Sequence, residues 1–342
     1  MTFSIAIPVH NGEKYLKATL VSALSQRRPA DEIVVVDDAS TDQSANILQS
    51  PEWRTRVHYI YNEKSSGFVD AWNRVVTYTH SDYVTILHQD DLLDPDYLYS
   101  IEQGLTTYPN CQHIYSGYYY IDERDIRVGV SPTPHTRTPK VIPGKEYTHR
   151  YLNGVIHNRH IHRCPGVTTK RMLLLEKCSY RKEAGLIADD DFFLRVGQFT
   201  DVIEISQPLA SFRQHKQSAT AQLESLSHRL AEDYVYQTRH YRTHVSILLE
   251  PDICLIQDQA VRFINAYFIE SFLKNSSSSI RETKKLRLQF ENLAVGYFKK
   301  KSPVVHRLLW QIVEKVQLDS VAMLLISVSL RMLFYVKKRL SY

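Results

Sequence analysis

Across the first 120 residues, short apolar runs alternate with stretches of helical periodicity, and that alternation allows little besides a layered α/β sheet. The spacing predicts strands near Ser4–Val9, Glu32–Val36, Val57–Tyr61, Tyr83–Leu87 and His113–Ser116. After the first, Leu16, Leu20, Ala23 and Leu24 share one helical face, and Asn11 stands where an N-cap is expected. Ser40-Thr41-Asp42 can cap a second helix, and Asp94-Pro95 places proline at the start of another. From about Tyr119 to Pro165 the pattern gives way to Tyr-, Pro- and His-rich sequence that reads as loops and short strands shaping a site. A helical segment is expected at Lys170–Lys177, and the chain reads as mainly helical from about Ala219.

Polar residues collect where the strands end, the edge at which open α/β sheets bind ligands. Asp37 and Asp38 follow the apolar run Ile33–Val36, and Gln89-Asp90-Asp91 follows the fourth strand in the same way. Charges so close to a buried strand are costly unless solvated, bonded or holding a ligand. A carboxylate there can accept from a base N–H or a ribose hydroxyl, or cap the next helix, and paired carboxylates suit a hard divalent cation that also takes substrate phosphates. A third acidic run, Asp189-Asp190-Asp191, opens the apolar stretch Phe192-Phe193-Leu194. No Gly-x-Gly-x-x-Gly follows the first strand, and neither Gly-x-x-x-x-Gly-Lys-Ser/Thr nor Gly-x-Ser-x-Gly occurs. Dinucleotide oxidoreductase, P-loop and hydrolase readings thereby lose their main support.

Ile5-Ala6-Ile7-Pro8-Val9-His10-Asn11-Gly12, Val36-Asp37-Asp38-Ala39-Ser40-Thr41-Asp42 and Gln89-Asp90-Asp91 before Asp94-Pro95 resemble, in order and spacing, the motifs of family-two inverting glycosyltransferases. The resemblance covers roughly residues 2–218. It implies the A-type nucleotide-sugar fold, a Rossmann-like mixed sheet flanked by helices, over residues 1–218, with a helical region over 219–342. It also implies a nucleotide-diphosphate sugar donor, a divalent metal (Mg or Mn) and one carboxylate base. Carried over, Pro8, Val9, His10, Asn11, Asp37, Asp38, Gln89 and Asp90 would line the nucleotide pocket. Asp90 and Asp91 match the later part of the family's Asp-x-Asp metal motif, whose first position holds His88; His215 resembles a further element near the diphosphate. Counting back from Arg195 puts the base at Asp189, with Asp190 next. His157, His160 and His162 read as lining the acceptor side, and the Tyr115–Tyr120 cluster as either sugar-stacking or core. The implied reaction transfers a sugar to a glycan or lipid-linked glycan in cell-surface polysaccharide synthesis. The alternatives are a nucleotidyltransferase and a non-catalytic glycan- or membrane-binding scaffold.

Net charge is +5, too small for a dedicated nucleic-acid binder, yet residues 281–342 hold 13 Lys/Arg against 4 Asp/Glu. Ser320–Val336 is mostly apolar but short for a bilayer span, which needs about 20 residues, and Lys337-Lys338-Arg339 follows it. Residues 303–342 are therefore expected to lie on an anionic membrane surface, with helix packing or a homo-oligomer contact, and a bilayer span, as the alternatives. The start of the chain lacks a secretory pattern, so the expected location is cytoplasmic, peripheral on the inner face of the membrane. The four cysteines are widely spaced and read as reduced thiols.

Overall fold

The computed structural model describes residues 1–311 except 133–137, 158, 217, 219–225, 247, 249, 274–276, 295–296, 303–305 and 308–309. The apolar stripe from Val304 and the segment Ser320–Val336 thus fall almost wholly outside the described residues. The chain divides into two compact units, Met1–Gln222 and Leu223–Tyr342.

In the first unit the elements follow in the order β1 (Phe3–Val9), α1 (Leu16–Leu24), β2 (Glu32–Asp38), α2 (Ser44–Gln49), β3 (His58–Asn62), α3 (Phe68–Thr77), β4 (Tyr83–Ile86), β5 (Leu92–Leu93), α4 (Tyr97–Thr107) and β6 (His113–Ile121). They continue with β7 (Arg127–Val130), β8 (Lys140–Ile142), α5 (Gly144–Ile156), β9 (Val167–Lys170), α6 (Arg171–Glu176), α7 (Ala188–Val196) and β10 (Val202–Arg213). All the strands belong to one sheet with path β3-β2-β1-β4-β9-β6-β10-β5, β7 pairing with β6 and β8 with β10. The β1, β2, β3 and β4 neighbours are parallel, β9 runs antiparallel to both β4 and β6, and β10 returns parallel to β6. Burial on both faces explains why β1 is buried at every position: Phe3, Ile5, Ile7 and Val9 pack with Leu16, Leu20 and Ala23, one of the two sides being the apolar stripe of α1.

The five strands expected from the sequence are present, within a residue or two, except that β6 runs on to Ile121. Between Tyr119 and Pro165 the chain forms more than loops and short strands, because Gly144–Ile156 is a helix that buries Tyr147, Thr148, Tyr151 and Leu152. Two strands, β9 and β10, were not anticipated either. Asn11 is not the cap of α1, which begins at Leu16; it takes a left-handed corner with φ of 53°.

The second unit contains α8 (Leu226–His244), α9 (Glu250–Leu273), α10 (Ser277–Leu293) and α11 (Tyr297–Lys301), in keeping with the helical reading of this part. Its core includes Phe268 stacked on Trp310, ring centres 3.8 Å apart. No helix among the described residues is long and apolar enough to cross a membrane.

Helices α5 and α7 meet through glycine: a Cβ on Gly144 would lie 2.0 Å from the Gly197 carbonyl oxygen, and one on Gly197 2.4 Å from Thr148 Oγ1. Both neighbours at the first site are backbone, so relief requires separating the helices. Gly144→Ala should cost about 2 kcal/mol or more and lower the melting temperature measured by circular dichroism. A variant that melts with the wild type would contradict this packing.

Candidate active site

Backbone groups at the carboxyl ends of β1, β2 and β4 are fastened by side chains of neighbouring loops. Gln89 accepts the N–H of His10 through Oε1 and donates from Nε2 to the His10 carbonyl. Asn11 Oδ1 accepts the Thr41 N–H, while the Ser40 hydroxyl accepts the N–H of Asn11. The His10 ring lies 2.8 Å from the Asp38 carbonyl, and Gly12 has no room for a Cβ against Gln89. Pro8 and Val9 end β1 just below this corner, so His10, Asn11 and Gln89 rim the opening.

The two aspartates ending β2 are inside. Asp37 accepts the N–H of Ser40 and the Tyr59 hydroxyl; Asp38 accepts from Ser65, Ser66 and Gly67 and from the Asn62 amide. Burial alone would raise the Asp38 pKa, but the donors of Ser65, Ser66 and Asn62 outweigh it and hold the carboxyl below its usual value. Both residues therefore fix neighbouring loops, and neither caps the next helix, α2, whose N-cap Gln43 carries no side-chain cap bond.

Asp90 and Asp91 differ sharply. The Asp91 carboxylate is enclosed, accepts the backbone N–H of Arg213 at 2.8 Å, and is pushed well above its normal pKa by burial and by Asp90. Asp90 lies nearer solvent, and its Oδ2 is 2.8 Å from His215 Nε2. Burial pushes the Asp90 carboxyl up, yet the His215 bond and the field of His88 prevail and leave it below its usual value. Arg213 completes the join by donating Nε–H to the Asp90 carbonyl and lying over the Tyr15 ring. His88 stacks on Trp72 with ring centres 5.0 Å apart, and burial lowers its pKa against the pull of Asp90 and Asp189.

Among the described residues no three metal-binding side chains converge. Asp90 and His215 still fit a divalent cation that takes the rest of its shell from phosphate and water, since magnesium commonly needs only one or two carboxylates. Buried His215 Nδ1 and His88 Nε2 also lack a hydrogen-bond partner among the described residues. The metal reading thereby centres on Asp90 and His215, with Asp91 and His88 behind them.

The third acidic run opens α7, and each member has a separate setting. Asp191 is paired with Arg195 at 2.7 Å, and Asp190 accepts from the Tyr151 hydroxyl at 2.7 Å. Asp189 is half-buried; its Oδ1 accepts the N–H of Asp190, and the Cys164 thiol lies 3.8 Å from Oδ2. Burial and the neighbouring Asp190 push Asp189 up to about 6, with Arg163 and His88 opposing. A carboxylate with that affinity is suited to accepting a proton near neutrality.

Several residues lie elsewhere than the sequence suggested. His160 and His162 are buried, His162 bonding to the Tyr147 hydroxyl at 2.8 Å, and only His157 of that group is exposed. Tyr115 and Tyr118 belong to the core. Conversely, Arg163, Cys164 and Arg213 come into the site without a sequence signal beyond proximity to a motif, because strands β9 and β10 return to the sheet near β4 and β6, and Trp72 reaches His88 from α3.

Residues 4–165 match the family model described as Glycosyl transferase family 2. The putative teichuronic acid biosynthesis glycosyltransferase TuaG of Bacillus subtilis (strain 168) is 36% identical over 96 residues, 28% of this chain and 38% of that protein. Glycosyltransferase GlyG of Streptococcus pneumoniae serotype 4 is 28% identical over 123 residues, 36% of this chain and 40% of its own. The similarity thus spans about two-fifths of each relative. The crystal structure of S. aureus TarS 1-349 in complex with UDP-GlcNAc superposes with a TM-score of 0.65 at 17% identity, covering 97% of this chain and 92% of that one.

The raised Asp189 pKa has a consequence for stability. The folded state binds this proton more tightly than the unfolded one, so stability is full below about pH 4 and falls as pH rises through about 6. Asp189→Asn removes that fall. At pH 7.5 the variant should be about 1–2 kcal/mol more stable in urea unfolding, the gap closing below pH 4. Equal stability at pH 7.5 would mean that Asp189 is not held in a desolvated setting.

Proposed function

Because its N-terminal unit carries a family-2 glycosyltransferase domain in the A-type mixed-sheet fold, we propose that this protein is an inverting glycosyltransferase using a nucleotide-diphosphate sugar. The observation that carries the reading is the contrast between two acidic groups whose fields both reach His88: Asp90, kept ionised beside His215, and Asp189, kept basic beside Cys164. The description of TuaG as a putative teichuronic acid biosynthesis glycosyltransferase and the likeness to a protein crystallised with UDP-GlcNAc support a uridine-type donor and a cell-surface glycan or lipid-linked glycan acceptor.

In the proposed reaction the donor's nucleoside lies between the β1 and β2 loops, rimmed by His10, Asn11 and Gln89, and its diphosphate faces Asp90 and His215. Those two residues would hold a magnesium or manganese ion, which when bound neutralises charge on the diphosphate. Asp189 accepts the proton of the acceptor hydroxyl as that oxygen forms a bond to the anomeric carbon. The bond from that carbon to the diphosphate breaks and its electron pair leaves with the nucleotide. One displacement inverts the configuration, and the proton passes from Asp189 to solvent. The cationic excess of residues 281–342 supports attachment to an anionic membrane surface, where a lipid-linked acceptor would be met.

A panel of uridine, thymidine and guanosine diphosphate sugars, with Mg or Mn and a chelator control, tests the class of reaction. With an active donor, Asp90→Ala should weaken metal-dependent donor binding and lower turnover about a hundredfold or more, and Asp189→Asn should lower turnover comparably with donor affinity nearly kept. The wild-type kcat/KM should fall below about pH 6 as Asp189 takes up its proton. Full transfer by Asp189→Asn would remove this residue from the chemistry, and full activity in chelator would remove the metal.

A further inference from the structure

Asp189 owes its orientation to two donors of unequal strength. The backbone N–H of Asp190 holds Oδ1 at 2.9 Å, a bond fixed by the first turn of α7. The Oδ2 atom meets the Cys164 sulfur at 3.8 Å, within reach of a thiol donor but at the weak end of hydrogen bonding. Cys164 cannot easily move away. It begins the short 3-10 turn Cys164–Gly166, is 6% exposed, and is followed by Pro165 and by Gly166, whose N–H donates to the Arg163 carbonyl. A Cβ on Gly166 would meet Ser116 Oγ at 3.0 Å, so the turn is seated directly on β6.

We propose that Cys164 is a positioning residue for the proton acceptor, its thiol holding the Oδ2 oxygen of Asp189 in place without tying it down. The proposal rests on the reading of Asp189 as the base. A hydroxyl at this site would favour the ionised carboxylate more strongly and make it a poorer proton acceptor, whereas a methyl group would leave Oδ2 without a donor. The thiol lies between these cases. Burial, together with the nearby Asp189, raises the pKa of Cys164 well above its usual value, so the sulfur keeps its proton and remains a donor across the working pH range. It is not paired in a disulfide.

The other groups around Asp189 come from each element packed near it. Asp190 adjoins it on α7, Arg163 and His160 lie on the chain leading into the 3-10 turn, and His88 lies beyond β4. Tyr151 comes from α5, and Tyr180 from the chain between α6 and α7. Arg163 lowers the Asp189 pKa and Asp190 raises it; His88 and His160 have their own pKa values lowered by burial.

The test follows the titration of Asp189 in the full-length protein by two routes. One is the acidic limb of kcat/KM, and the other is the carboxyl 13C resonance of labelled aspartate, assigned by its loss in Asp189→Asn. Cys164→Ala should move both upward by about half a pH unit, the loss of one weak donor to a charged acceptor. Cys164→Ser should bring both back to the wild-type position or below it. An unmoved titration in Cys164→Ala would overturn the proposal, as would Cys164→Ser following Cys164→Ala or a rate loss equal at every pH. If the wild type turns over no donor, the transferase reading fails while the resonance still decides whether the thiol acts on Asp189.

Discussion

A carboxylate taken out of water must be met by donors, and at the carboxyl edge of this sheet that requirement holds the loops together. Asp38 gathers Ser65, Ser66 and Gly67 into the turn before α3. Asp91 reaches from the β4 loop to the backbone of Arg213 on β10, residues 122 positions apart in the chain. Gln89 does the neutral equivalent by bracketing the His10 peptide. Remove these acceptors and several N–H groups would lose their partners together, each at about 1–3 kcal/mol. The loops at this edge are thus joined by buried side-chain acceptors.

The same bookkeeping separates the acidic residues that remain. Asp90 and Asp189 both suffer desolvation, but their neighbours carry opposite sign. His215 favours the charged form of Asp90, while Asp190 disfavours that of Asp189. In the proposed reaction the group that would face a cation and a diphosphate is thereby kept anionic, and the group that would accept a proton is kept avid for one. Two carboxylates with divergent environments are what acid–base and electrostatic roles require of a single site.

Much of this was legible in the sequence because it is local. The apolar runs preceding Asp37 and Asp90 mark strands whose ends carry acids, and the position of Asp189 ahead of Arg195 marks the start of α7, with Asp191–Arg195 closing the i,i+4 pair. What sequence could not show is how distant segments return. Strand β9 inserts between β4 and β6 in reverse sense, and β10 crosses back to lie beside β6, placing Arg163, Cys164 and Arg213 against residues some 25 to 123 positions away. The Ile203-Glu204-Ile205 alternation within β10 did carry a local strand signal. Helix α5 was hidden by its own composition, since Tyr147, Thr148 and Tyr151 serve its buried face as apolar residues would elsewhere.

The account turns on Asp90 and Asp189 facing opposite ends of one bound donor. A crystal structure of the protein with a non-hydrolysable UDP-sugar and manganese measures this directly. The predicted result is diphosphate and an anomalous manganese peak against Asp90 and His215, with the anomeric carbon facing Asp189 across space open to an acceptor hydroxyl. A donor bound away from the β1 and β4 loops, or seated there with Asp189 on the diphosphate side of the sugar, would contradict it.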